Sequence, residues 1–295
     1  MSSHWRVIDA SRYQGKVEAR RGAVLVHGQR IPLDDVTAVL VGPDTEWSGG
    51  VMALLGQYGV PLLTCDWRGV PVSYSIPWSE NSRVAARHRA QSRLAIPRQK
   101  NAWMQIVRSK VRGQANNVEC LTPDVAAKLN QLASSVRSGD PSNVEAQAAR
   151  LYWSALFLPG TSFNREPGAG FGLNAMLDYG YAILRGITVR AVCEAGLWPT
   201  LGIWHKNRAN AFCLADDLIE PFRPAVDSTV AAMAIHDDDL NPDSKRELVA
   251  VSAKTFHRAG HSVSTEIGAL ARRFAQYIEG DETRLDVGAW APPRG

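Results

Sequence analysis

The stretch VPVSYSIPWSENSRVAARHRAQ, residues 70–91, changes its period half-way. VPVSYSIP reads as a β-strand, PWSENS (77–82) is a polar break, and from Arg83 onward the apolar residues recur at helical spacing. Upstream, WRVIDA, VEARR, AVLVHGQRIPL, VTAVLVG and VPLLTCD are short Val/Ile-rich runs broken by Gly, Asp and Pro, with hairpin turns at Gly22 and at His27-Gly28-Gln29. One helix interrupts them, SGGVMALLGQYG (48–59), with Ser48 as N-cap and Gly59 as stop. Downstream, the segments near 83–95, 97–117, 122–137, 143–157, 173–195, 227–236, 243–258 and 262–279 read as helices. The tail ETRLDVGAWAPPRG is Pro/Gly-rich, so it is expected to be irregular or disordered. The expected class is α+β: a small N-terminal β-rich domain over 1–78, a linker at 77–82, and a larger all-α domain over 79–295.

Composition narrows the function. At 295 residues the chain suits about two domains, and 45% hydrophobic residues allow sizeable cores. No apolar run approaches the roughly 20 residues of a membrane helix, and the N-terminus shows no secretory apolar region. Cys65, Cys120, Cys193 and Cys213 lack metal-site spacing and read as reduced thiols of a cytoplasmic protein. Net charge is only +4, yet residues 81–115 hold nine Lys/Arg and no acid. Such a run attracts a polyanion or simply solvates a helical face. There is no Walker loop and no nucleotide-binding Gly pattern, and GAGFG near 168 reads as a loop.

Candidate ligands are few, and each has a plainer reading. Glu145 sits three residues after Ser142, the spacing of a capping box, but shares a helical stripe with Ala149 and Tyr152. Asp217 and Glu220 are three apart in HKNRANAFCLADDLIEPFRP (205–224). Pro221 is tolerable if a helix begins near Asp216 or Asp217, which would then be its N-cap. His205 lies between Trp204 and Lys206, where a lone histidine can be structural. HRAGH (257–261) places two histidines four apart, but Gly260 and the missing glutamate argue against a zinc-protease helix. Taken together, Glu145, His205 and Glu220 would make a two-carboxylate, one-histidine set suited to Mg²⁺ or Mn²⁺. Arg150, Arg165, Lys206, Arg208 and Arg223 flank it, as phosphodiester chemistry requires.

Three motifs in order, DPSNVEAQAARLYW, LNAMLDYGYAILRG and HKNRANAFCLADDLIEPFRP, resemble the CRISPR-associated integrase family Cas1, and their wording is most like its type II members. ALLGQYGVPLLTCDWRGVP (53–71) resembles the family's N-terminal helix-to-strand segment. The resemblance implies metal ligation by Glu145, His205 and Glu220, with Asp217 supporting the catalytic site. It implies that Asn174 and Tyr179 face DNA near the metal. Arg83 and Arg87, in the basic run, are expected to follow the DNA backbone together with Arg150, Arg165, Lys206, Arg208 and Arg223. The implied reaction is insertion of spacer DNA at the leader–repeat boundary of a CRISPR array. The implied partners are double-stranded DNA, a second copy of the chain through the β domains, and a small second adaptation protein. Two other readings use the same residues: a branched-DNA nuclease, and a non-catalytic DNA-binding scaffold in which Glu145 and Asp217 are caps.

Overall fold

The computed structural model describes residues 6–34, 36–67, 69, 71–75, 81–157, 163–235, 239–257 and 260–291. Eight strands and the first helix come first: β1 (Arg6–Ala10), β2 (Gly15–Arg20), β3 (Ala23–Val26), β4 (Gln29–Pro32), β5 (Val36–Val41), β6 (Thr45–Trp47), α1 (Gly49–Gln57), β7 (Leu62–Cys65) and β8 (Pro71–Ser75). Helices then follow: α2 (Val84–Ser92), α3 (Ile96–Val118), α4 (Pro123–Ser135), α5 (Val144–Leu156), α6 (Gly172–Glu194), α7 (Cys213–Leu218), α8 (Arg223–Met233), α9 (Pro242–Ala250) and α10 (Val263–Glu279). The N-terminal part is therefore β-sheet and the remainder mostly helical. Most of the linker expected at 77–82 lies outside the described residues.

One sheet has the order β4-β3-β2-β6; its antiparallel β2–β3 and β3–β4 pairs turn at Gly22 (φ 66°) and at His27-Gly28 (φ 52° and 73°). Those positive angles suit the tight two-residue hairpins read from the sequence. The other sheet has the order β1-β5-β7-β8, with β1, β5 and β7 parallel and β8 antiparallel. Its central strands, β5 and β7, are apolar apart from Thr37 and Thr64, as suits a sheet covered on both faces. Val39, Val41 and Leu62 point into a small core shared with Val51 and Leu55 of α1, whereas Ala38, Leu40, Leu63 and Cys65 join the large helical core. Alternation along one strand thus welds the two parts. A side chain at Gly186 would sit 3.0 Å from Leu63, which is how closely α6 approaches this sheet. Arg190 of α6 also donates to the Val36 carbonyl at 3.0 Å.

The structure revises two local expectations and adds one strand. The 243–258 helix ends at Ala250 and continues as a 3₁₀ turn to Ala253. The strand Thr45–Trp47, three residues long, is too short to show a period. The tail is irregular but ordered through residue 291: Leu285 and Trp290 are buried, and the Trp290 indole donates to Asn117 Oδ1 at 2.8 Å. Packing explains this, since two large apolar side chains suffice to tie down a segment without regular structure. We expect Trp290→Ala to cost about 3–5 kcal/mol of stability by chemical denaturation. A loss below about 1 kcal/mol would mean that the tail is not part of the core.

Candidate active site

The segment 213–233 does not fold as one helix beginning at Asp216 or Asp217. The α7 helix ends at Leu218, Glu220–Phe222 form a 3₁₀ turn, and α8 starts at Arg223. Pro221 falls in the first turn of that short element, where its missing N–H costs nothing. The turn swings Glu220 inward to 4% exposure.

Neither aspartate is a cap. Asp216 pairs with Arg185 through two contacts of 2.6 and 2.8 Å. Asp217 is wholly buried, and its carboxylate accepts from the backbone N–H groups of Ile203, Trp204 and His205. Its Oδ1 also lies 2.7 Å from His205 Nδ1. Gly202 makes this possible, because a side chain there would meet the His205 carbonyl at 2.4 Å and Asp217 Oδ2 at 2.9 Å. Burial pushes the Asp217 carboxyl up, and donating to Asp217 raises the His205 imidazole. With Nδ1 committed to Asp217, Nε2 is the ring atom available to a ligand. Trp103 stands edge-on to the same ring at 5.9 Å and stacks on Trp204 at 5.5 Å.

Glu145 is not held by a capping box either. Asn143 is the N-cap residue, and the Asp140 carboxylate accepts from the N–H groups of Val144 and Glu145. The Glu145 side chain is therefore free to receive a hydrogen bond from Lys110 Nζ at 2.6 Å. The same ammonium lies 2.5 Å from Glu220 Oε2, and Arg223 Nε lies 2.8 Å from Glu220 Oε1. These last two are close ion pairs without hydrogen-bond alignment, so Glu220 Oε2 is a buried oxygen with no aligned donor. Burial alone would raise the Glu220 carboxyl, but Arg223 and Lys110 bring it below its ordinary range. Burial disfavours the Lys110 ammonium, and the two glutamates outweigh that.

The structure thus joins Glu145 and Glu220 through Lys110 and sets the Asp217–His205 pair beside them, close enough for His205 and Glu220 to feel each other's charge. The three expected ligand atoms are not clustered within 4.8 Å; among the described residues the group that is comprises His257, His261 and Glu266. Lys110 was read only as part of a basic run. Its signal is position: it lies at helical spacing from buried Trp103, Ile106, Val107 and Gln114, on the inward stripe of α3.

Of the remaining expected contacts, Arg150, Lys206 and Arg208 are exposed. Arg165 donates to Asn174 Oδ1 at 2.9 Å and pairs with Asp178. Tyr179, expected to face DNA, is instead 4% exposed and donates to Asp9 Oδ2 at 2.8 Å, tying α6 to β1. Arg83 and Arg87 both pair with Glu279 and so fasten α2 to α10. Arg98 and Arg108 likewise donate to main-chain carbonyls. Much of the 81–115 charge is therefore paired within the protein, although the Arg83 side chain stays 59% exposed.

A β-rich part followed by a helical part that carries two glutamates and an aspartate-oriented histidine defines the class. The family described as "CRISPR associated protein Cas1" matches residues 11–252, and the chain belongs to that family. It is 36% identical over 252 residues to the CRISPR-associated endonuclease Cas1 of Neisseria meningitidis serogroup C, covering 82% of this chain and 80% of that one. It is 27% identical over 292 residues to a CRISPR-associated endonuclease Cas1 of Pyrobaculum aerophilum, covering 92% and 98%. The Neisseria relative is consistent with a type II-like member. Three solved structures share the fold. A casposase bound to its integration product has a TM-score of 0.74 at 18% identity over 96% of this chain and 92% of that one. A Cas1 protein from Thermotoga maritima has a TM-score of 0.71 at 17% identity over 95% and 99%. A chain of a Cas6-RT-Cas1–Cas2 complex has a TM-score of 0.73 at 16% identity over 99% of this chain and 36% of that one.

Beneath the site, Asp227 accepts from the hydroxyls of Tyr152, at 3.0 Å, and Tyr181. Burial raises its carboxyl to about 6. A carboxyl raised in the folded state takes up its proton there first, so its contribution to stability is present below about 3.8 and lost as pH rises to about 6. Relative to Asp227→Asn, the protein should lose on the order of a few kcal/mol as pH rises from about 4 to about 7, and the difference should level off above that. Parallel stability curves across that window would refute the shift.

Proposed function

We propose that the chain is a metal-dependent DNA integrase of CRISPR adaptation, acting in the cytoplasm. The observation that carries this reading is the convergence of Glu145 and Glu220 on one cation beside an imidazole oriented by a buried aspartate. Glu220 Oε2, buried without an aligned donor, fits a cation ligand. Glu145, Glu220 and Nε2 of His205 would hold Mg²⁺ or Mn²⁺, a donor set of oxygens with one nitrogen. A cation held there lowers the pKa of an attacking hydroxyl and neutralises charge growing on the phosphate.

The protein's own groups prepare that state. Asp217 fixes the tautomer and direction of His205. Lys110 balances the two carboxylates until a metal takes that role, and Arg223 keeps Glu220 ionised. Exposed Arg150, Lys206 and Arg208 offer charge to DNA phosphates without reading sequence; the loop carrying Arg165 and Asn174 is a further candidate surface. In the reaction, the 3′-oxygen of the spacer bonds to the phosphorus at the leader–repeat boundary. The bond to the leader strand's 3′-oxygen breaks, and that oxygen ends protonated. One P–O bond replaces another, so no nucleotide site is needed. The casposase captured with an integration product shares this fold, and the relatives bear the name endonuclease. The β-rich part, with Trp67 and Val72 exposed, is our proposed homodimer surface, and the likeness to a chain of a Cas1–Cas2 complex supports a small second partner.

On a branched DNA mimicking a half-integrated spacer, with Mn²⁺ or Mg²⁺, we expect a resealed strand and a released flap. Glu220→Gln and His205→Ala should each lower the rate at least a hundredfold while leaving DNA binding within a few-fold. Cleavage without resealing would favour the nuclease, and unchanged variants would sink the assignment. Lys110→Met should destabilise the metal-free protein by about 2–4 kcal/mol, since it takes one of two cations from buried Glu220 and the cation from half-buried Glu145. Its melting temperature should then rise more on Mn²⁺ addition than that of the unaltered chain; an equal rise would remove Lys110 from the cation's place.

A further inference from the structure

The His257–His261 pair is not on a helix. Residues 254–257 and 260–262 are drawn together by a bridge between Thr255 and Ser262 and by a 2.7 Å bond from Phe256 N–H to the His261 carbonyl. Their pairing brings the two rings to 5.6 Å between centroids and lays them over Glu266, on the first turn of α10. Glu266 is 3% exposed. Its Oε1 is gripped by Arg273, whose Nε donates to the Asp286 carbonyl at 3.0 Å. Its Oε2 faces His261 Nδ1 at 3.3 Å and His257 Nε2 at 3.5 Å. All three donor atoms lie within 4.8 Å of one another.

Those separations are long for charge-assisted hydrogen bonds, which close to about 2.7–2.9 Å. They match the edge of a tetrahedron: with zinc–ligand bonds of about 2.0–2.1 Å, neighbouring ligands stand about 3.3–3.4 Å apart. Two imidazoles and one carboxylate suit a borderline ion such as Zn²⁺, not the all-oxygen shell that Mg²⁺ prefers. Arg273 on the second carboxylate oxygen is the kind of outer partner that fixes a ligand's orientation. The His261 side chain is 55% exposed, so a fourth position opens to water. Gly288 leaves room on the protected side, since a side chain there would begin 3.5 Å from His257 and 3.6 Å from Glu266.

We propose that His257, His261 and Glu266 form a Zn²⁺ site, separate from the Glu145–His205–Glu220 centre, that staples residues 254–257 and 260–262 and the C-terminal segment onto α10. The staple bears on the active site through Phe256. That ring is fully buried, packs 4.7 Å from Phe222 in the Glu220 turn and 6.1 Å from Trp290, and its carbonyl accepts from Ala291 at 3.0 Å.

The test uses tag-free, chelator-stripped full-length chain. Because zinc could also enter the other centre, it carries His205→Ala throughout, which removes that centre's nitrogen donor and leaves Lys110 paired with both glutamates. After incubation with Zn²⁺ and desalting, elemental analysis should find one zinc per chain, and Co²⁺ should give the intense visible bands of four-coordinate nitrogen–oxygen ligation. Adding His261→Ala should lower retained zinc at least tenfold, remove the Co²⁺ bands and abolish the zinc-induced rise in melting temperature. His261→Ala is the chosen change because that side chain is largely exposed and its loss leaves the core intact. Absence of retained zinc, or equal retention with His261→Ala, would overturn the proposal and leave an ion-pair cluster around Glu266.

Discussion

One buried ammonium organises the helical part of this protein. Lys110 on α3 reaches Glu145 on α5 and Glu220 in the 3₁₀ turn, and all three are largely withdrawn from water. An unpaired charge there would be strongly destabilising, so each member constrains the other two. The consequence is a fixed distance between three elements that come from separate parts of the chain. Close approach along α3 serves the same end: Gly113 brings the helix so near α8 that a side chain would touch Pro224 at 3.0 Å. One turn on, Asn117 donates to the Tyr152 hydroxyl and the Pro224 carbonyl.

The histidine side of the site is built differently. No helix holds His205. Its loop is gathered around the buried Asp217 carboxylate by three successive backbone N–H groups, and the ring is oriented by the same carboxylate. This is a rigid arrangement because three successive backbone donors and the ring share one carboxylate. It is also why Glu145, Glu220 and His205 come from segments with separate means of support. Two are held by ionic pairing across helices, and the third is held by a loop wrapped on a carboxylate.

The sheet contributes by being covered on both faces. Ala38, Leu40, Leu63 and Cys65 belong to the helical core, and their neighbours belong to the small β core. Hence α6, which carries Tyr179, Tyr181 and Arg185, is anchored at one side to β1 and β5 and at the other to the site.

Much of this was legible in the sequence. The change from strands to helices between β8 and α2, the hairpin turns at Gly22 and Gly28, and every helix position except α7 follow from local period and turn chemistry. The triplet Glu145, His205 and Glu220 followed from motif resemblance, with Asp217 as its support. What local reading missed has one cause. Lys110 pairs with a residue 35 positions away, and Arg83 with one 196 away. A charge whose partner is that distant looks like any other surface charge, so the basic run suggested a polyanion where the fold uses much of it internally. The same holds for Asp217, whose neighbours Asp216 and Pro221 suggested a helix start. Sequence determined the elements, because helix and strand preferences act over a few residues. Tertiary structure alone decided which charges are buried against which, because desolvation and pairing depend on neighbours that only folding brings together.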